Sequence, residues 1–220
     1  MTEQPKPGLR DPETPKIDPT VPHSARVYDY LLGGVTNFEA DRQAAAAAGA
    51  AVGGIEIARA SVRSNRVFLG QVARYLAGPA GIRQFLDIGT GIPNDDNVHA
   101  VVLAVAPDAR VVYVDNDPIV LAHAHELLNA GPDATAYIHG DLLQPQHILA
   151  RAATLLDLDR PVAVILNAVL HHVPESDDPY GVVARLMDGV ASGSYLAMSH
   201  LTDDMQTEEM RALSQSVPRD

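Results

Sequence analysis

The chain contains no cysteine. That absence excludes disulfides, thiolate zinc sites, iron–sulfur clusters and a cysteine nucleophile, and it suits a reducing, cytoplasmic setting. Tryptophan is absent too, and 3 Phe and 7 Tyr are the only aromatic residues among 220, so nothing reads as an aromatic cage. Basic residues are in deficit: 16 Lys and Arg stand against 28 Asp and Glu, a net charge of −12. Phosphate binding relies on clustered Lys and Arg, so no nucleic-acid partner is expected. Long apolar runs are also missing. Val98 to Ala106 is one of the longest, and it falls far short of the roughly 20 residues a membrane span needs. The N-terminus has no apolar signal core, and no membrane association is expected.

Hydrophobic residues make up 46% of the chain, enough for one α/β domain with a buried core plus appendages. Residues 1–22 carry prolines at 5, 7, 12, 15, 19 and 22 among charges and read as a disordered tail. Helical patterns fill residues 23–79, read as a helical N-terminal extension: one capped by Ser24, an alanine-rich one over Glu39–Ala51 and a longer one over Glu56–Ala77. From residue 80 to 220, strands alternate with helices. The strands are expected at Arg83–Ile88, Arg110–Asp115, Thr135–His139, Pro161–Asn167 and Ser194–Ser199. The helices are expected at Asp96–Val105, Pro118–Asn129, Pro145–Leu156, Pro179–Val190 and Asp203–Ser214. Such alternation implies right-handed crossovers and a mostly parallel sheet covered on both faces, the α/β class.

Chemistry concentrates where strands end. Phe85-Leu86-Asp87-Ile88-Gly89-Thr90-Gly91 is an apolar strand emptying into a glycine turn, and a second strand ends in Asp115, 28 residues beyond Asp87. Glycines let backbone approach a ligand closely, and a second-strand carboxylate can accept hydrogen bonds from ribose hydroxyls. The run departs from the dinucleotide pattern Gly-x-Gly-x-x-Gly, because Asn94 stands at its sixth position. Asp87 opening the motif is more typical of enzymes that use S-adenosylmethionine (SAM). Asn116 and Asp117 can share the role of Asp115, although Asp117-Pro118 also reads as a helix N-cap followed by a first-turn proline. After the third strand, Asp141 can accept from an adenine amino group, with Leu142 offering an N–H or an apolar contact. After the fourth come Asn167 and the pair His171-His172. Either histidine can act as a general base, or both can simply orient a loop. No metal site is expected: a His-His pair needs further ligands, and His123 and His125 do not share a helix face.

These residues together resemble the class I SAM-dependent methyltransferases. Within them the chain is similar to an actinobacterial family long known only as a domain of unknown function. The more specific signature is Ser24-Ala25-Arg26-Val27-Tyr28-Asp29-Tyr30-Leu31-Leu32-Gly33-Gly34 with Asn37-Phe38, then Arg63-Ser64-Asn65-Arg66 and Val112-Tyr113-Val114-Asp115-Asn116-Asp117-Pro118. The resemblance implies a Rossmann-like SAM-binding domain under a helical extension. In it Asp87, Gly89 and Gly91 line the methionine end, Asp115 holds ribose, Asp141 holds adenine and Asn167 borders the sulfonium. Tyr28, Asp29, Tyr30, Asn37, Asn65 and Arg66 are the extension's candidates to face the pocket, while Tyr28 and Leu31 read more simply as packing the extension onto the sheet. Relatives continue past the fifth strand into a helix and an antiparallel strand pair, so a five-stranded sheet with an open fifth edge is expected here.

Three functions compete. The first is a methyltransferase that aligns SAM with a small-molecule acceptor. The second is a SAM-binding protein without turnover, and the third an NAD-dependent oxidoreductase, which the absent third glycine weakens. The acceptor is not legible, and the oligomeric state, including a homo-oligomer, stays open.

Overall fold

Residues 17–94, 96–123 and 134–202 are described by the structure, a computed structural model. The apolar runs become five strands: β1 (Gln84–Ile88), β2 (Arg110–Asp115), β3 (Thr135–His139), β4 (Ala163–Asn167) and β5 (Tyr195–Ser199). They form one parallel sheet in the order β3-β2-β1-β4-β5. The helices are α1 (Ser24–Leu32), α2 (Glu39–Ala51), α3 (Ile55–Ala77), α4 (Val98–Val105), α5 from Pro118 with described residues 118–123, α6 (Pro145–Ala152) and α7 (Pro179–Asp188). The predicted helix over 203–214, residues 124–129 and tail residues 1–16 lie outside the described residues.

Boundaries move for local reasons. β4 starts at Ala163, not Pro161, since proline has no N–H to give a ladder. α7 stops at Asp188, with Gly189 as its C-cap. Ser24 is the first helical residue of α1 rather than its cap: the His23 carbonyl accepts from the Arg26 and Val27 N–H groups, which puts His23 in the N-cap position.

Alternation along each strand sorts residues between the two faces. Leu86, Ile88, Val112, Val114, Val164 and Leu166 point to the face packed by α6 and α7, where Ile148, Leu149, Val182 and Leu186 meet them. Phe85, Val111, Tyr113 and Ile165 point to the other face, against Leu69, Ala73 and Leu76 of α3 and Val98 and Val102 of α4. Asp87, Asp115 and Asn167 each stand two residues beyond a member of this second set, so the sheet's period of two delivers all three polar ends to one face.

The N-terminal helices form their own small core from Leu31, Ala45 and Ala58, with Tyr30 and Val62 against it. Leu31 therefore packs the helices on one another, not on the sheet. Gly33 ends α1 with φ 93°, and a Cβ on Gly34 would fall 2.0 Å from the Asp29 carboxylate. The Gly-Gly pair of the signature thus serves a left-handed cap followed by a close approach. Beneath α1 lies a buried charge cluster. Arg26 Nε is 3.2 Å from Asp117 Oδ2, and Arg26 NH1 is 3.7 Å from Asp41 Oδ2. Asp41 also caps α2 by accepting the Phe38 N–H (2.7 Å), and it accepts the His23 N–H (2.9 Å). His23 Nδ1 stands 3.1 Å from Asp117 Oδ2.

Candidate functional site

In this strand order the chain runs outward from β1 through β2 to β3, then returns to the other side of β1 as β4. Ligands of open parallel sheets bind beyond the carboxyl ends of the strands at such a reversal. Asp115 and Asn167 end β2 and β4 there, and Asp87 is the penultimate residue of β1.

Asp87 is enclosed, and burial pushes its carboxyl up to about 7, against the opposing pull of Arg66 and a hydrogen bond with Thr90; Asp115 nearby raises it further. Burial raises Asp115 as well, although its carboxylate is well bonded: Oδ2 accepts the Gly91 N–H at 2.8 Å and Oδ1 the Asp117 N–H at 2.9 Å. Asp115 therefore fastens the glycine turn to the loop after β2. Asp117 does what its sequence context suggests, accepting the Ile119 N–H at 2.9 Å as a cap for α5, and its other oxygen belongs to the Arg26 cluster. Asn167 Oδ1 accepts from the Ser199 hydroxyl at 3.0 Å, and Ser199 Oγ accepts the Ala168 N–H at 2.9 Å. The Arg66 guanidinium donates to Asn94 Oδ1 (2.6 Å) and the Asp96 carbonyl (2.8 Å), tying α3 to the loop after β1.

The loop backbones carry left-handed residues: Gly89 at φ 73°, Gly91 at φ 69° and the non-glycine Ala168 at φ 55°. A Cβ on Gly89 would lie 2.4 Å from Val169 Cγ2, whereas one on Gly91 would meet nothing within 4 Å. The β1 and β4 loops touch through the missing side chain of Gly89. Gly91→Ala is expected to cost only the left-handed conformation, about 1–2 kcal/mol. Gly89→Ala adds overpacking against Val169, for a total on the order of 2–5 kcal/mol. Chemical denaturation of the two variants measures the difference.

Several spaces adjoin at this end of the sheet, among them one of about 780 Å³ between α1, α3 and the β1 loop, lined by Asp29, Arg63, Arg66 and Gly91; three others hold the remaining predicted residues. A cleft of about 90 Å³ is lined by Asp87, Gly89, Gly91, Asp115, Asn116 and Asn167. A second space of about 290 Å³ shares Gly89, Asp115 and Asn116 and adds Asp141 and Leu142. The sequence-predicted cofactor residues are thus brought together along one continuous wall. Asp141 Oδ1 accepts the Leu143 N–H at 2.9 Å, which shapes its turn. A third space of about 500 Å³ lies between the N-terminal helices and the β4 and β5 loops. His172 lines all three, while His171 lines only the third. Their rings are 4.3 Å apart. Burial lowers His171 to about 4, helped by the neighbouring His172 and His200, and burial lowers His172 too, so both are neutral at pH 7.

Of the extension's candidates, Tyr28 and Arg66 line the first cleft and Asn65 the third space. The Tyr28 hydroxyl donates to the Val62 carbonyl (3.1 Å) and accepts from Asn65 (3.0 Å). Asn37 instead binds Asp29 (2.9 Å), and Tyr30 packs in the helical core beneath Arg59. Sequence reasoning missed Arg26, Asp41 and Ser199. Ser199 had a visible signal, since it closes β5 in register with Asn167 on β4. No cluster among the described residues suits a metal ion, and none of their helices is by itself long and apolar enough to cross a membrane.

Residues 10–219 match the family described as S-adenosyl methyltransferase. A candidate methyltransferase from Thermobifida fusca is 42% identical in its crystal structure, with a TM-score of 0.80 over 89% of this chain and 72% of that one. A DUF574 family protein from Streptomyces avermitilis is 43% identical, with a TM-score of 0.81 over 91% of this chain and 76% of the other. No protein of curated function matches.

Proposed function

The chain belongs to the S-adenosyl methyltransferase family, and on that premise we propose that the strand-end cleft around Asp87 and Asp115 binds SAM and presents its methyl group to a small-molecule acceptor in the adjoining third space. The observation that carries this reading is the gathering of Asp87, Gly89, Gly91, Asp115 and Asn167 around one cleft at the carboxyl ends of β1, β2 and β4. A cation beside the buried Asp87, where Arg66 already acts, favours its charged form. SAM brings an ammonium and a sulfonium, which suit a cleft bearing Asp87 and Asp115, whereas a nicotinamide dinucleotide brings a diphosphate that Arg66 alone would have to neutralise there. That chemistry, with the third glycine missing, disfavours the oxidoreductase.

When bound, SAM supplies an electrophilic methyl group. The chain's part is placement. Gly89 and Gly91 leave room for backbone to approach the methionine end. Asp115, already fixed by two N–H groups, offers its remaining lone pairs to ribose hydroxyls, and Asn116 stands beside it. Asp141 and Leu142 take the adenine. Asn167, held by Ser199, faces the reacting centre, and His172 stands where the cleft meets the acceptor space. His171 and His172 are neutral and can receive a proton from an acceptor, but alignment is the main contribution.

Calorimetric titration with SAM, S-adenosylhomocysteine and NAD tests the proposal. Both adenosyl ligands are expected to bind. Asp115→Ala should weaken them about 10- to 100-fold, the scale of lost hydrogen bonds to a charged group. Binding of NAD alone, or adenosyl binding indifferent to Asp115→Ala in a variant that still melts cooperatively, would sink it.

A further inference from the structure

Resting on that reading of the site, we infer that the acceptor is an uncharged, largely apolar molecule carrying a hydroxyl, held in the space between α1, α2, α3 and the β4 loop with the hydroxyl at His172. The space is about 500 Å³, ample for a ring system. Val27, Leu31, Ala44, Ala48 and Val62 supply its apolar walls, and among the described residues no Asp, Glu, Lys or Arg lines it. An acceptor carboxylate or alkylammonium would enter without a counter-charge, at the full cost of burying an unpaired ion. A neutral hydroxyl incurs no such cost.

Polar residues line two sides of it: His23, Ser24, Tyr28, Ser61 and Asn65 from the N-terminal region, and His171, His172, Ser199 and His200 at the ends of β4 and β5. Ser199 is already engaged with Asn167 and Ala168. The His171 Nδ1 is sealed from solvent and has no hydrogen-bond partner among the described residues. His172 is one of four residues, with Ser24, Tyr28 and Ala168, common to this space and the strand-end cleft, and of these the Tyr28 hydroxyl is already engaged with Val62 and Asn65. Among the described residues its ring contact is with His171, and no hydrogen bond occupies its nitrogens. Burial keeps it neutral, so it can accept from a hydroxyl without adding charge. Ala168, left-handed at φ 55°, forms the shared wall, and its small side chain keeps the passage between the two spaces short.

The test uses the full chain with S-adenosylhomocysteine bound, at about pH 8, well above the range to which burial lowers His171 and His172. Three probes are compared by fluorescence titration: 1-naphthol, naphthalene and 1-naphthoate. Naphthol is expected to saturate, with naphthoate about 100-fold weaker because its charge is unpaired. Ala48→Trp, or Ala44→Phe as a second filling variant, should weaken naphthol at least about tenfold by occupying the volume, with S-adenosylhomocysteine affinity unchanged. His172→Phe should bring naphthol down to the naphthalene value. Equal binding of naphthoate, naphthol binding that survives both filling variants, or no naphthol binding up to its solubility would overturn the inference. So would His172→Phe that still prefers naphthol to naphthalene. Failure of S-adenosylhomocysteine to bind the unaltered chain is a separate result, against the cofactor site, and the naphthol titration can still be read without it.

Discussion

Asp87→Asn is expected to make the ligand-free protein more stable above pH 7 while weakening SAM. The carboxyl has an ordinary value near 3.8 and rises to about 7 in the folded chain, chiefly through burial. Between those values the folded state holds a proton that the unfolded state has lost, so stability falls as pH rises and levels off above about 7. The slope from this one group reaches at most about 1.4 kcal/mol per pH unit. An amide does not titrate, and the variant should lose that slope. Denaturant unfolding at several pH values between about 5 and 8 gives both curves. Binding moves the other way. A cation beside Asp87 draws its proton off, so SAM uptake near pH 7 should release a proton, visible as a binding enthalpy that depends on the buffer. Asn cannot supply the charge, and affinity should fall about 10- to 100-fold. An unchanged stability slope would mean that Asp87 is ionised throughout, and buffer-independent binding heats would mean that no cation lies beside it.

The second large effect belongs to Arg26. It is 4% exposed, and Asp41 and Asp117 beside it are 0% and 1% exposed. Its Nε and the Asp117 Oδ2 make no aligned hydrogen bond despite their 3.2 Å approach, so the contact is chiefly Coulombic. Removing one member of such a cluster leaves the others buried without compensation, about 3–5 kcal/mol of destabilisation. Arg26→Ala should show that loss in chemical denaturation. Adding Asp117→Asn should return part of it, because one stranded charge is gone, and a double-mutant cycle isolates the coupling. Strictly additive losses would mean that the residues do not act as one cluster. Since Asp117 also caps α5 next to Asp115, Arg26→Ala should weaken SAM too, although Arg26 lines none of the cavities described above.

The elements most legible in the sequence are those governed by short-range rules. Glu39–Ala51 is found with its predicted bounds, because an alanine-rich stretch needs little tertiary help. β2 and β3 also match, each an apolar run between turn residues. The strand-end wall was legible because one rule places it: parallel strands end on the same side, and an odd–even register puts Asp87, Asp115 and Asn167 on one face. The rest depends on assembly. Nothing local says that Arg26 will be buried or that Asp41 and Asp117, far apart in the chain, will meet it. Asp87 is visible as an acid, yet only the enclosed site makes it nearly neutral. The sequence shows no cage or clamp for an acceptor, since the third space is bounded by residues from α1, α2, α3 and the β4 and β5 loops, none informative alone.

The alanine-rich helix has a further consequence. α2 contributes Ala44 and Ala48 to the apolar space and no residue to the strand-end cleft or the space beside it. Those two side chains can therefore be exchanged for larger or more polar ones without disturbing Asp41, Ala45 or the ends of β1, β2 and β4. A lineage built on this plan can change what it methylates through a few positions on one helix, while the machinery that supplies the methyl group is inherited intact.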